Sequence, residues 1–160
     1  MGGTGGAIVS TIIYCDGAYS DSKKTGGYAF LVCNGKSFTL AFDKGECGTI
    51  PITTNRMELM AVIAGLESFD KPRDIAVVSD SKYVVGIIET WLPALESKPS
   101  NQNHDLLLRL QSAVNFHASV TPIWIPGHSG DRYHQLVNEF ASREAMTWKN
   151  NKAVIPSSNP

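Results

Sequence analysis

The chain has 160 residues, of which 42% are hydrophobic and 18% are charged, and its formal net charge is −1. This length is typical of one domain, which buries roughly 70% of the surface that the unfolded chain exposes. Its longest apolar runs are broken well before the ~18 residues that a membrane-spanning helix needs, which excludes a membrane protein. The balanced charge excludes a broadly basic surface for nucleic acid, but not a local basic patch.

The ends and the cysteines suggest how the chain is organised. Cys15, Cys33 and Cys47 lie far apart and form no zinc-binding pattern, so we expect reduced thiols and a cytoplasmic protein. Residues 1–6 are glycine-rich and carry no basic residue, which predicts a flexible leader and not a secretory signal. Residues 149–160 are rich in Asn, Ser and Pro and predict a disordered tail, which leaves residues 7–148 as the folded domain.

The first third of the chain predicts a three-stranded antiparallel meander. Ala7–Asp16 is rich in β-branched residues and ends in Asp-Gly, a turn sequence. Tyr28–Cys33 and Ser37–Phe42 are similar runs, and the Asn34-Gly35 pair between them is typical of a hairpin. We therefore expect each of these strands to pair with the next.

Helices and strands alternate in the rest of the chain. Apolar residues recur at helical spacing over Thr54–Phe69, and Ile75–Val78 is a continuous apolar run typical of a strand buried on both faces. The later predicted elements are a helix that starts at Asp80-Ser81 and ends near Pro93, a helix over His104–Phe116, a strand over Val120–Ile125 and a helix over Tyr133–Trp148. This order predicts an α/β fold in which helices cover both faces of a mixed sheet.

Three acidic residues stand where a functional site can form. Asp16 closes the predicted first strand, Glu58 lies in the first turns of the first helix, and Asp80 follows the fourth strand. Each also has a structural explanation, because Asp16 can serve its turn, Glu58 can complement the helix dipole and Asp80 can cap a helix. Ligands bind outside the carboxyl ends of strands in sheets of this kind, so the three together predict a site.

If the three carboxylates converge, they need a cation. Two unit charges ~4 Å apart at an effective dielectric of ~20 repel each other by about 4 kcal/mol. Carboxylate oxygens without cysteine or a histidine pair favour a hard ion, Mg²⁺ or Mn²⁺, over zinc. Because a pair of such ions can activate a water and stabilise a leaving oxygen, phosphodiester cleavage is the expected chemistry.

Several motifs, in order along most of the chain, resemble type 1 ribonuclease H. They are Cys15-Asp16-Gly17, Asn55-Arg56-Met57-Glu58-Leu59, Ser79-Asp80-Ser81-Lys82-Tyr83 and Gly127-His128-Ser129-Gly130. The resemblance implies the ribonuclease H-like fold, a five-stranded mixed sheet flanked by helices. It also implies endonucleolytic hydrolysis of the RNA strand of RNA-DNA hybrids by two Mg²⁺ or Mn²⁺ ions, giving 3′-hydroxyl and 5′-phosphate ends. We expect the protein to be a monomer.

The resemblance also implies roles for single residues. Asp16, Glu58 and Asp80 match the family's first three acids, which hold the metals, and Asp16 matches the one that bridges both. His128 matches a loop histidine that assists proton transfer or product release. The expected substrate contacts are Gly17, Thr53, Asn55 and Lys82, although Thr53 and Asn55 can also cap the helix and Lys82 can be a solvated surface charge.

The sequence departs from the family pattern at the fourth acid. Ten residues after His128 the residue is Asn138. The neighbouring Glu139 does not replace the acid, because one residue along a helix turns a side chain by ~100°. An amide oxygen can ligate a hard cation but brings no charge, so we expect Asn138 to be a neutral fourth ligand in the catalytic set. Binding of one metal should weaken and the preference should shift toward Mn²⁺.

A second departure lies between Trp91 and His104, where family members often carry a longer, basic protrusion. The stretch is short and almost uncharged here, so we expect weak hybrid binding and a shallow salt dependence. One alternative function is a hybrid-binding module in which Asn138 prevents cleavage. Another is a different nuclease or strand-transfer activity on the same fold, against which the Asn55–Leu59 motif argues.

Overall fold

A computed structural model describes residues 11–35, 37–45, 51–92 and 103–146, together with the backbone of 153–156. The strands are β1 (Thr11–Ser20), β2 (Thr25–Asn34), β3 (Ser37–Gly45), β4 (Asp74–Ser79), β5 (Ser119–Trp124) and β6 (Ala153–Pro156). The helices are α1 (Thr54–Glu67), α2 (Lys82–Gly86), α3 (His104–Phe116) and α4 (Arg132–Met146), and a π-helical turn (Ile87–Trp91) directly continues α2. The predicted leader lies outside the described residues. So does the stretch 93–102, which makes up most of the short segment between Trp91 and His104.

The strands form one mixed sheet in the order β5-β4-β1-β2-β3-β6. β1, β2 and β3 make the predicted antiparallel meander, and β4 and β5 are parallel to β1, so the five-stranded mixed sheet is confirmed. β6 is a sixth strand that was not predicted. It pairs antiparallel with β3, and its four residues fall within the segment for which the sequence predicts a disordered tail.

Helices cover both faces of the sheet, as predicted. Phe30 and Val32 of β2 pack with Leu59 and Ile63 of α1 in the larger core cluster. The alternate residues of the same strand belong to a second cluster under α4, formed by Ala29, Leu31, Leu40, Val137 and Ala141. Because successive strand residues point to opposite faces, β2 serves both cores at once.

The position of Asp16 corrects one prediction. Asp16 and Gly17 do not end β1 in a turn, because they pair with Ala29 and Tyr28 of β2 and the strand continues to Ser20. The parallel pairing of β1 with β4 does end here, at the Tyr14–Val78 pair. Asp16 and Asp80 each follow that pair by two residues, so they lie at the same level of the sheet.

Gly17 is required by close packing and not by a turn. A β-carbon at this position would collide with the main chain of Met57 and Glu58 in the first turns of α1. The absent side chain therefore lets α1 approach β1. This approach brings Glu58 next to Asp16.

Arg56 holds the start of α1 against α3. Its guanidinium is buried and donates to both carboxylate oxygens of Asp105 at 2.9 and 2.8 Å. It also donates to Asn103, whose amide donates to the Tyr83 hydroxyl at 2.8 Å. Bidentate pairing fixes orientation as well as distance, so this network sets the position of the helix that carries Glu58.

No helix within the described ranges is long and apolar enough to span a bilayer. Cys15 is a buried free thiol and Cys33 is a half-buried one. Cys47 lies outside the described residues.

Gly17→Ala should destabilise the protein by about 3 kcal/mol or more, because the added methyl meets main-chain atoms that cannot rotate away. Gly86→Ala is the matched control, since a β-carbon there meets nothing within 4 Å and alanine favours the helix. Urea unfolding of both variants measures the difference. Equal stabilities would show that α1 does not depend on contact at Gly17.

Candidate active site

Side chains from four separate segments meet beyond the end of β4. Asp16 comes from β1, Glu58 from α1, Asp80 from the residue after β4 and Asn138 from α4. Glu58 is close enough to Asp16 for the charge of Asp16 to raise its pKa. A carboxylate oxygen of Asp16 lies within 4.8 Å of one of Asp80. The structure therefore brings together the three acids that the sequence singles out.

Asn138 binds Asp16 directly. Its amide nitrogen donates to Asp16 Oδ2 at 2.7 Å, and the other carboxylate oxygen of Asp16 accepts from the Gly17 main-chain N–H at 2.9 Å. Asp16 thus has hydrogen-bond donors on both oxygens although it is almost fully buried. An Asp in place of Asn138 could not donate this bond in its ionised form.

The convergence of acids disfavours their ionised forms. Burial, followed by the charge of Asp16, raises the pKa of Glu58 to about 10. Burial and Asp16 also raise the pKa of Asp80, against the opposing effects of His134 and His128. One oxygen of Glu58, Oε2, is buried without a hydrogen-bond partner. A buried carboxylate oxygen of this kind suits a cation or a proton.

His128 lies beside Asp80 on the loop that precedes α4. It adopts a left-handed backbone conformation, with φ of 57°. A cavity of about 90 Å³ is lined by Asp80, His128, His134, Gln135 and Asn138. The preceding Gly127 is close enough that a β-carbon would lie 3.1 Å from Asp80 Oδ2. The loop therefore places His128 at the open side of the acidic cluster.

His134 is a site residue that the sequence reasoning missed. It is 3% exposed, and its Nε2 lies 3.7 Å from Asp80 Oδ2. The Asp131 carboxylate caps the start of α4 by accepting from the His134 main-chain N–H at 2.9 Å. The available signal was spacing, because His134 is four residues before Asn138 and shares its face of a helix.

Three of the predicted substrate contacts, Thr53, Asn55 and Lys82, each have a different local environment. Thr53 caps α1 by accepting from the Arg56 N–H at 3.1 Å, which confirms the capping alternative for this residue. Asn55 is exposed in the first turn of α1. The Lys82 ammonium lies 5.0 Å from the centre of the Trp124 ring, and the Trp124 indole donates to the Asp80 main-chain carbonyl at 3.0 Å.

The residues present fit a divalent cation. Asp16, Asp80 and His134 offer ligand atoms that all lie within 4.8 Å of one another. Opposite ligands of one ion with bonds of ~2.1 Å lie about 4.2 Å apart, so the observed spacing needs only small adjustments. The unpartnered atoms Glu58 Oε2 and His134 Nε2 are both in this region.

Known proteins are similar to this chain in sequence and in fold. A sequence model described as RNase H matches residues 9–146. The chain belongs to the ribonuclease H family. A Ribonuclease H of Pseudomonas fluorescens Pf-5 is 37% identical over 142 residues, covering 84% of this chain and 91% of its own length. The Ribonuclease H of Neorickettsia sennetsu is 31% identical over 147 residues, which cover 87% of this chain and 95% of its own length.

A solved structure supports the fold. It is the crystal structure of LC9-RNase H1, described as a type 1 RNase H with the type 2 active-site motif. It superposes with a TM-score of 0.77 at 20% identity and covers 93% of this chain and 78% of its own. The ribonuclease H-like fold is thereby confirmed, and the chain is a ribonuclease H hydrolase. The family cleaves the RNA strand of RNA-DNA hybrids and depends on divalent metals.

Glu58→Gln should stabilise the metal-free ribonuclease H by about 2 kcal/mol at pH 8, because Gln is neutral in both states, whereas Glu58 must take up a proton when the chain folds at this pH. The raised pKa means that the folded state binds this proton more tightly than the unfolded state does. Stability of the unsubstituted protein should therefore fall as pH rises from about 4.5 toward 10. Glu58→Gln should flatten this decline.

Thermal unfolding in a chelator at several pH values measures this effect. Glu89→Gln is the control, because it removes one exposed carboxylate outside the cluster. If Glu58→Gln is no more stable than the control at pH 8, the raised pKa of Glu58 does not lower the stability of the metal-free protein.

Proposed function

We propose that this ribonuclease H hydrolyses the RNA strand with two divalent ions held by Asp16, Glu58, Asp80 and Asn138. The observation that carries the proposal is the central place of Asp16. It accepts a hydrogen bond from Asn138, its charge raises the pKa of Glu58, and it lies near Asp80, so one carboxylate is close to every other member of the set. A residue in that position suits a ligand shared between two ions.

The bound ions would supply an activated water and stabilisation of the leaving oxygen, which leaves a 5′-phosphate and a 3′-hydroxyl. The protein's part is to hold the ligands in place. Arg56 anchors α1 and thereby Glu58, and the N–H of Gly17 orients the Asp16 carboxylate. For Asn138 to offer its amide oxygen, the amide must turn away from the hydrogen bond that it donates to Asp16.

His128 is proposed to move protons during the reaction or to help release product. Its loop position next to Asp80 supports this role, because a group that exchanges protons with a leaving oxygen must reach both the site and water. The left-handed backbone at His128 is unusual for a residue with a side chain and occurs here beside the site.

Substrate recognition is proposed to use the surface around the cluster. Lys82 and Trp124 form a cationic and aromatic pair next to Asp80, and such a pair suits a phosphate with its adjoining sugar. Asn55 is exposed at the start of α1, where its amide suits a 2′-hydroxyl. Gly17 and Thr53 complete the proposed contacts through the main chain near the cluster, and Thr53 also caps α1.

Cleavage of a labelled RNA-DNA hybrid should require a divalent ion and Asp16. We expect activity in Mg²⁺ and in Mn²⁺, and a loss of at least about 10³-fold in Asp16→Asn. Asp21→Asn is the control, because Asp21 is exposed and pairs with Lys24 away from the cluster. Mass spectrometry of the fragments should show 5′-phosphate and 3′-hydroxyl ends.

The same assay separates the alternative function. Tight hybrid binding without cleavage in either metal would favour a binding module in which Asn138 prevents the reaction. Cleavage that survives in Asp16→Asn would overturn the proposed ligand set.

Asn138→Asp should lower the Mg²⁺ concentration needed for half-maximal cleavage by about tenfold, because it adds a charged ligand. The metal-free variant should also be less stable, since Asp16 loses a donor and gains a like charge. Glu139→Gln is the control, because Glu139 is exposed on the adjacent position of α4. Unchanged metal dependence in Asn138→Asp would show that residue 138 is not a ligand.

A further inference from the structure

His134 presents a nitrogen donor to a cluster of oxygen donors. Its imidazole is 3% exposed, and Nε2 is buried without a hydrogen-bond partner. The nearest acidic oxygen, Asp80 Oδ2, is 3.7 Å away, which is too long for a hydrogen bond. A buried polar atom in this state has lost its contacts with water and gained none in return.

The surroundings of Nε2 point to a ligand. An imidazole nitrogen of His134 lies within 4.8 Å of carboxylate oxygens of both Asp16 and Asp80, and Nε2 is the one that lies 3.7 Å from Asp80 Oδ2. Asn138, one helical turn further along α4, faces the same acids and hydrogen-bonds to Asp16. The side chains of His134 and Asn138 line one cavity of about 90 Å³ with Asp80. A single ion there would meet two carboxylates, an imidazole and an amide.

The position of His134 is set independently of any ion. Asp131 accepts from its main-chain N–H at 2.9 Å and, through its own carbonyl, from the Gln135 N–H at 3.0 Å. These bonds form the N-cap of α4 and hold its first turn against the site. The backbone of His134 is therefore held in place by the helix, and its imidazole is buried against the site.

We propose that His134 Nε2 is a metal ligand and that it gives this position a preference for divalent transition metals over Mg²⁺. The proposal rests on the metal-dependent function above and specifies the class of ion. Imidazole nitrogen suits Zn²⁺ and other later transition metals better than it suits Mg²⁺, which prefers oxygen ligands in octahedral geometry, and affinity for such a donor rises from Mn²⁺ to Co²⁺ and Zn²⁺. The mixed donor set departs from the all-oxygen set that the sequence alone predicts.

Calorimetric titration of the substrate-free protein with Zn²⁺, Mn²⁺ and Mg²⁺ tests the proposal. His134→Ala and His134→Gln should each weaken Zn²⁺ binding at least tenfold and Mn²⁺ binding severalfold, with Mg²⁺ binding changed less than threefold. Two variants are used because Gln keeps a polar group in the buried position, and circular dichroism confirms folding. Gln135→Ala, which alters the next residue of the same cavity, is the control for packing and should leave all three affinities unchanged.

The absorption spectrum of bound Co²⁺ gives a second readout that a merely structural role would not change. It should differ between the unsubstituted protein and both His134 variants. Unchanged Zn²⁺ affinity in the folded variants, or an equal loss for Zn²⁺ and Mg²⁺, would overturn the proposal. Hybrid cleavage by the unsubstituted protein decides the proposed function separately, since it can persist in Mg²⁺ whichever result the Zn²⁺ titrations give.

Discussion

β1 pairs with its parallel neighbour β4 only from Thr11 to Tyr14, whereas it pairs with β2 along its whole length. Asp16 is therefore still paired with β2, at the level where the pairing with β4 has ended and the chain leaves β4 at Asp80. α1 and α4 pack on opposite faces of the sheet, and both reach this level. The site forms because β1 continues beyond the end of β4, which leaves space for side chains from α1 and α4.

The same geometry concentrates charge. Burial and mutual repulsion raise the pKa values of Glu58 and Asp80, so the metal-free site is under electrostatic strain. Other contacts resist that strain: Arg56 ties α1 to α3 through Asp105, and the absence of a side chain at Gly17 allows α1 to approach closely. A binding site often lowers stability in this way, and the surrounding structure offsets the loss.

α4 supplies two side chains that are not carboxylates to an otherwise acidic site. Asn138 donates to Asp16 where a carboxylate would repel it, and His134 brings a nitrogen with no hydrogen-bond partner. Neither side chain adds a negative charge, so each adds less repulsion to the metal-free site than a carboxylate would. The proposed ligation by both side chains would link the composition of α4 to the choice of metal.

The sequence by itself determined the meander, the alternation of helices and strands, and the bounds of α3, because hydrophobic periodicity and turn residues are local properties. Its motifs also identified Asp16, Glu58, Asp80 and Asn138 as neighbours. Only the tertiary structure decided that Asp16 and Gly17 lie within β1, since pairing with β2 and the approach of α1 overrode a local turn sequence. The pairing of β6 with β3 likewise depends on contacts between residues far apart in the chain. The helical spacing of His134 and Asn138 is a local signal, but the approach of His134 to Asp80 depends on the packing of α4 against the sheet.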